Sequence, residues 1–139
     1  MKKLFFSLAL ALVSTVAVYA QNPHFVAGPT VTDNGTTLTV TGSIAGLGNN
    51  QLITIELNVS GTVTTECTNR GGNVAPGQTK TDNFVVVGNY TSDRNGRVNF
   101  SVTTPSPTPG RCPNGNWTGT VTDVSFGTPV VKVNGVPVQ

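Results

Sequence analysis

From residue 51 to 60 the chain alternates without a break. Ile53, Ile55, Leu57 and Val59 fall on one face of an extended segment, and Thr54, Glu56 and Asn58 on the other. A period of two is the signature of a strand with one buried face. The same pattern recurs along the chain. Residues 36–45 place Leu38, Val40 and Ile44 opposite Thr37, Thr39 and Thr41, and residues 97–104 place Val98, Phe100 and Val102 together. Further strands are expected over 24–32, 81–91, 117–126 and 128–134. The first is interrupted by Gly28-Pro29, which places it at a sheet edge or at a bend between sheets. The run Phe84-Val85-Val86-Val87 does not alternate, so burial on both faces or beside a second sheet is expected there. Gly61 reads as a bulge, after which "TVTTEC" stays extended to Cys67. The terminal "NGVPVQ" reads as a frayed end or a short edge piece.

The connections carry turn chemistry. "DNG" (33–35), "GLGNN" (46–50) and the expected hairpin loop "SDRNG" (92–96) supply Asn, Asp and Gly, which accept positive φ. Apolar spacing of three and four is not sustained anywhere after residue 21, and β-branched residues dominate, which disfavours helix. The expected fold is all-β: a two-sheet, immunoglobulin-like sandwich of about seven antiparallel strands with one disulfide. A small Greek-key barrel is the alternative.

The first twenty residues do not belong to that domain. Lys2 and Lys3 precede an apolar run, and Val18-Tyr19-Ala20 forms a cleavage box before Gln21. Residues 1–20 therefore read as a signal peptide, with an uncleaved anchor as the other reading, and residues 21–139 as one domain. The position after the cleavage box is not cysteine, which argues against a lipoprotein. Export predicts a secreted, extracellular, periplasmic or cell-surface protein, with no membrane insertion once the peptide is removed. Setting aside Lys2 and Lys3 leaves six basic residues against six acidic ones, scattered along the chain. Nucleic acid and anionic membranes call for a basic patch, so neither is an expected partner.

Two cysteines in an exported chain point to one disulfide, Cys67–Cys112, with two free thiols as the alternative. The bridge would join two polar segments. The first is "CTNRGGNVAPGQTK" (67–80), and the second is "PSPTPGRCPNGN" (105–116), which leads into Trp117. The runs "FVAGPTVTDNGTTLTVTGSIAGLGN" and "CTNRGGNVAPGQ" resemble small secreted bacterial proteins of immunoglobulin-like fold. In that group a cysteine precedes an Asn-x-Gly-Gly-Asn loop. The resemblance implies fold, export and the Cys67–Cys112 bridge. It implies no catalytic or binding residues, because no function attaches to the group.

Candidate chemistry is sparse. His24 is the sole histidine and lacks a nucleophile motif around it. Glu56 and Glu66 could be a glycosidase pair, but both read as outward strand positions. Asp93 and Asn95 are weak calcium candidates, with Asp33-Asn34 and Asp82-Asn83 as possible contributors, yet turns use the same residues for φ reasons. No cofactor is expected. The threonine rows 37-39-41 and 118-120-122 read as solvated strand faces. Trp117 reads first as a core residue against the disulfide, and second as a stacking platform for a sugar. The amide-rich loops are the remaining signal. Asn69, Gly71, Gly72, Asn73, Gln78, Asn114, Asn116 and Trp117 form a candidate neutral-ligand surface. The function expected from this is a non-enzymatic binding or structural module recognising carbohydrate or peptide. Self-assembly through edge strands, motivated by the apolar tail "VVKVNGVPVQ", is the alternative, and a hydrolase comes third.

Overall fold

The structure, a computed structural model, describes residues 22–139. The expected signal peptide, residues 1–20, lies outside the described residues. Among the described residues there are nine strands: β1 (His24–Asp33), β2 (Leu38–Ala45), β3 (Leu52–Asn69), β4 (Val74–Pro76), β5 (Lys80–Thr91), β6 (Val98–Thr103), β7 (Trp117–Phe126), β8 (Val130–Val133) and β9 (Val136–Pro137). Seven coincide with the expected strands. The other two are the three-residue β4 and the two-residue β9, too short to show a period. The architecture is an all-β, two-sheet sandwich with one disulfide, and the described residues form no closed barrel. Among them no helix is long and apolar enough to cross a membrane.

One sheet has three strands in the order β1-β2-β6. The other has six and is organised around β3. On one side β3 pairs with β5 (Leu52↔Thr91 to Val63↔Lys80) and then β4. On the other side it pairs with β8 and then β7, and β9 folds back on β8. Every odd residue of β3 from Ile53 to Cys67 is buried. These meet Leu38, Val40 and Ile44 of β2 and Val98, Phe100 and Val102 of β6 in one core. Ile55 and Leu57 are fully buried, so each contributes about 1.5–3 kcal/mol of apolar burial.

Three expectations are corrected. Gly61 is not a bulge, since it pairs in register with both Asp82 and Phe126. It is glycine because a Cβ there would stand 2.7 Å from Val124 Cγ1 and 3.0 Å from the Phe84 ring. The irregularity lies at Thr64/Thr65, where Thr122 is the extra residue of β7. Of the two readings of the run from Phe84 to Val87, burial on both faces does not hold, whereas packing beside the other sheet holds for Phe84 and Val86. β5 pairs with β3 alone, so it alternates like any one-sided strand: Phe84 is buried, and Val85 and Val87 are exposed. The "SDRNG" loop does not join a hairpin. It carries the chain from β5 in one sheet to β6 in the other. The terminal "NGVPVQ" is the expected short edge piece and not a frayed end: β9 lies outermost on β8, Val138 N–H donates to Val131 O, and Val138 packs on the core.

The sheet-crossing loop is bolted to the other inter-sheet connection. The Ser92 hydroxyl donates to Gly48 O (2.6 Å) and accepts from Gln51 N–H (2.8 Å), and Ser92 is buried. Ser92→Ala leaves both backbone groups without that partner. It is expected to lower stability by about 1–2 kcal/mol, read as a shifted midpoint in urea unfolding with an unchanged slope.

Candidate functional site

The three-stranded sheet stops short of the far end of β3. Its last turn, Asn34–Gly35, meets the other sheet where Val124 N–H donates to Gly35 O (2.9 Å). Beyond that level β3 continues through Thr65 and Cys67, both still buried. What covers them is the segment between β6 and β7 together with Gly77. Cys112 bonds to Cys67 with a Cα–Cα distance of 5.8 Å. Gly110 N–H donates to Thr65 Oγ1 (2.7 Å), and Gln78 N–H donates to Arg111 O (2.8 Å). The packing leaves little or no room for a side chain at three glycines: Gly77, where a Cβ would stand 2.8 Å from Thr65 Cγ2 and 2.9 Å from Cys67 Sγ, Gly110 and Gly119. A Cβ on Gly110 would collide with the Gln78 carbonyl oxygen, and one on Gly119 would meet Pro109 Cβ at 3.1 Å and Cys112 Sγ at 3.2 Å. The disulfide and its loop thus stand in for the missing second sheet. Thr65→Val keeps the volume but removes the acceptor for Gly110. A loss of about 1 kcal/mol is expected, with faster hydrogen exchange at Gly110.

The segment 67–80 is a hairpin followed by a crossing. β3 runs to Asn69, turns, and returns as β4, with Cys67 opposite Ala75. The Asn69 side chain organises the turn, its Oδ1 accepting from Gly71 N–H (3.0 Å) and Asn73 N–H (3.0 Å). Gly72 takes φ +77°, which a side chain resists. Asn114 does the same work in the second loop, where its Oδ1 accepts from Asn116 N–H (2.9 Å) and its carbonyl from Trp117 N–H (3.2 Å). Two of the expected ligand-binding amides therefore have their carbonyl oxygens committed to turns. The side chains of Asn73, Gln78 and Asn116 are exposed.

The two loops meet directly, since Asn69 and Trp117 are register partners across β3 and β7. Trp117 is half-buried and lies outside the sandwich core, which corrects the core reading. It opens β7 on the part of β3 that the three-stranded sheet does not reach. Where the 76–78 and 111–113 segments meet lies an open hollow of about 480 Å³ lined by Pro76, Gly77, Gln78, Arg111, Cys112 and Pro113; of the expected ligand-binding residues only Gln78 lines it. A second, of about 310 Å³, lies against β4 and includes Thr64, Glu66, Val74 and Thr122. Both hollows touch Pro76. Sequence reasoning passed over Thr65, Gly110 and Arg111. Only the position of Gly110, two residues before Cys112, carried any signal of close packing.

The other candidates are dispersed. His24 is exposed, and its Nδ1 lies 2.9 Å from Asn22 O. Glu56 and Glu66 sit ten residues apart on the outer face of one strand, which at strand rise separates them by roughly 30 Å. That is several times the separation glycoside cleavage uses. Asp93 Oδ1 accepts from Asn95 N–H (2.8 Å) and Arg97 N–H (2.9 Å), and Asp33 Oδ1 from Gly35 N–H (2.8 Å), so both carboxylates cap their own turns. Asp82 pairs with Lys80 at 3.0 Å. Among the described residues no three His, Cys, Asp or Glu side chains gather where they could hold a metal. Comparison with protein-family models, with curated proteins and with solved structures finds no match for this chain.

Proposed function

We propose that the chain is an exported, bacterial, immunoglobulin-like module that recognises a neutral carbohydrate at its disulfide-bound end, without catalysis. One observation carries the reading. The Cys67–Cys112 bridge and the Thr65–Gly110 hydrogen bond clamp the second polar loop onto the end of β3, so that Asn73, Gln78, Asn116 and Trp117 share one preorganised end of the molecule. Rigid loops bind with less ordering cost than mobile ones. Exposed amides beside a half-buried tryptophan supply hydrogen bonds and an apolar ring surface, the combination a sugar uses. The setting in the cell envelope or extracellular space follows from the signal-peptide reading and the disulfide.

The test is a glycan array probed with the wild-type chain, with Trp117→Ala and with Asn73→Ala/Asn116→Ala, each checked for an unchanged circular-dichroism spectrum. Selective binding weakened about tenfold or more by either variant is expected. A featureless wild-type array removes the carbohydrate reading. Capture of extended peptides in a parallel library would assign the same end to peptide.

A further inference from the structure

β5 is an edge strand of a particular kind. It has twelve residues, pairs with β3 over its whole length without a register shift, and pairs with no other strand. Alternate residues therefore turn their N–H and C=O groups away from β3. The other long edges are blunted. β1 contains Pro29 and two register shifts. β7 carries the Thr122 bulge and Asp123, and its Val124 N–H is taken by Gly35 O. β8 is covered by β9. β6 is short, runs on toward Pro105, Pro107 and Pro109, and has its Ser101 carbonyl bonded by the Tyr90 hydroxyl (3.3 Å). In β5 the only charges are Lys80 and Asp82, paired at one end, and residues 83–91 contain neither charge nor proline.

The outer face of β5 also reads the same in both directions. Thr81, Asn83, Val85, Val87, Asn89 and Thr91 all lie on it, opposite the outward residues of β3. The sequence of that face is Thr-Asn-Val-Val-Asn-Thr, a palindrome centred on Val86. Val85 and Val87 at its middle are 50% and 56% exposed.

The geometry points to β5 as the seat of a two-fold dimer, its partner being a second copy of this chain added antiparallel at the sheet edge. With the axis at Val86, each outward residue of β5 meets its own kind: Val85 the second copy's Val87, Asn83 the second copy's Asn89, and Thr81 the second copy's Thr91. Cross-strand pairs of β-branched residues and of threonines are favourable, and no like charges are set opposite each other. The interface is isologous, so it closes at two copies and builds no fibre. It lies along the edge of the six-stranded sheet and does not use the disulfide-bound loops.

The test is the mass of the secreted chain by light scattering on size-exclusion chromatography across a wide concentration range. Wild type is expected to show twice the monomer mass at the upper end. Val85→Lys/Val87→Lys sets lysines opposite each other across the axis and is expected to remain a monomer at every concentration. Val85→Lys/Val87→Glu sets lysine opposite glutamate and is expected to restore the dimer. Hydrogen exchange on the wild type gives a reading that needs no variant: outward-turned β5 amides become protected as concentration rises. A wild-type monomer throughout, equal masses for the two double variants, or β5 exchange independent of concentration overturns the proposal.

Discussion

Removing the Cys67–Cys112 bridge, by reduction or as Cys67→Ala/Cys112→Ala, is expected to lower the unfolding free energy by about 2–4 kcal/mol. The bridge closes a loop with a sequence separation of 45, for which the chain-entropy model gives roughly 4 kcal/mol. The loss should be uneven in space. The Ile53–Val63 stretch of β3 faces the three-stranded sheet and keeps that cover. Thr65 and Cys67 lie beyond that sheet and are covered by the bridged segment and by Gly77, which is held to that segment through Gln78 N–H and Arg111 O, so the bridge holds much of their cover in place. The reduced chain is therefore expected to retain a β-sheet spectrum with a melting temperature lower by roughly 10 °C. The amides of 65–69 and 74–78 should exchange much faster. Uniform loss of protection across both sheets would show that the bridge supports the whole sandwich and not its end.

Gly110→Ala is expected to cost about 2–3 kcal/mol, the range for forcing atoms into a packed site. The added Cβ has nowhere to go, because the Gln78 carbonyl occupies its place and Thr65 Oγ1 lies 3.3 Å from it. Relief requires the 105–113 segment to lift, which breaks the Gly110–Thr65 and Gln78–Arg111 hydrogen bonds. Gly115 lies in the same polar loop with nothing within 4 Å of an added Cβ. Gly115→Ala is thus the control, expected within about 0.5 kcal/mol of wild type. Equal effects for the two variants in thermal unfolding would contradict the packing described around the disulfide.

The sheets were legible in the sequence because alternation is a local property. Ile53 to Val59, Leu38 to Ile44 and Val98 to Val102 each announce their buried face within a few residues. The strand pairing was not, since nothing local says that β5 and β6 belong to different sheets or that β3 runs unbroken past Gly61. Burial of the Phe84–Val87 run on both faces fails for the same reason: its composition fits a central strand, and only the pairing makes it an edge. At the candidate site the bridge was legible from the cysteine count. The fate of the amides was not. Asn69 and Asn114 look like ligand donors in a list of residues, but their side-chain oxygens already accept from backbone N–H groups two residues on. Trp117 reads as core by analogy with sandwiches that bury a tryptophan against a disulfide, whereas here it is half-buried and stands where one sheet has ended.

The central claim is that the clamped end is a recognition surface whose rigidity comes from the bridge. Its most direct test is glycan-array binding measured on the same preparation before and after reduction, with circular dichroism recorded alongside. Selective binding that disappears on reduction while the β-sheet spectrum persists is the predicted result. Binding of equal strength and selectivity with the bridge open would contradict the account.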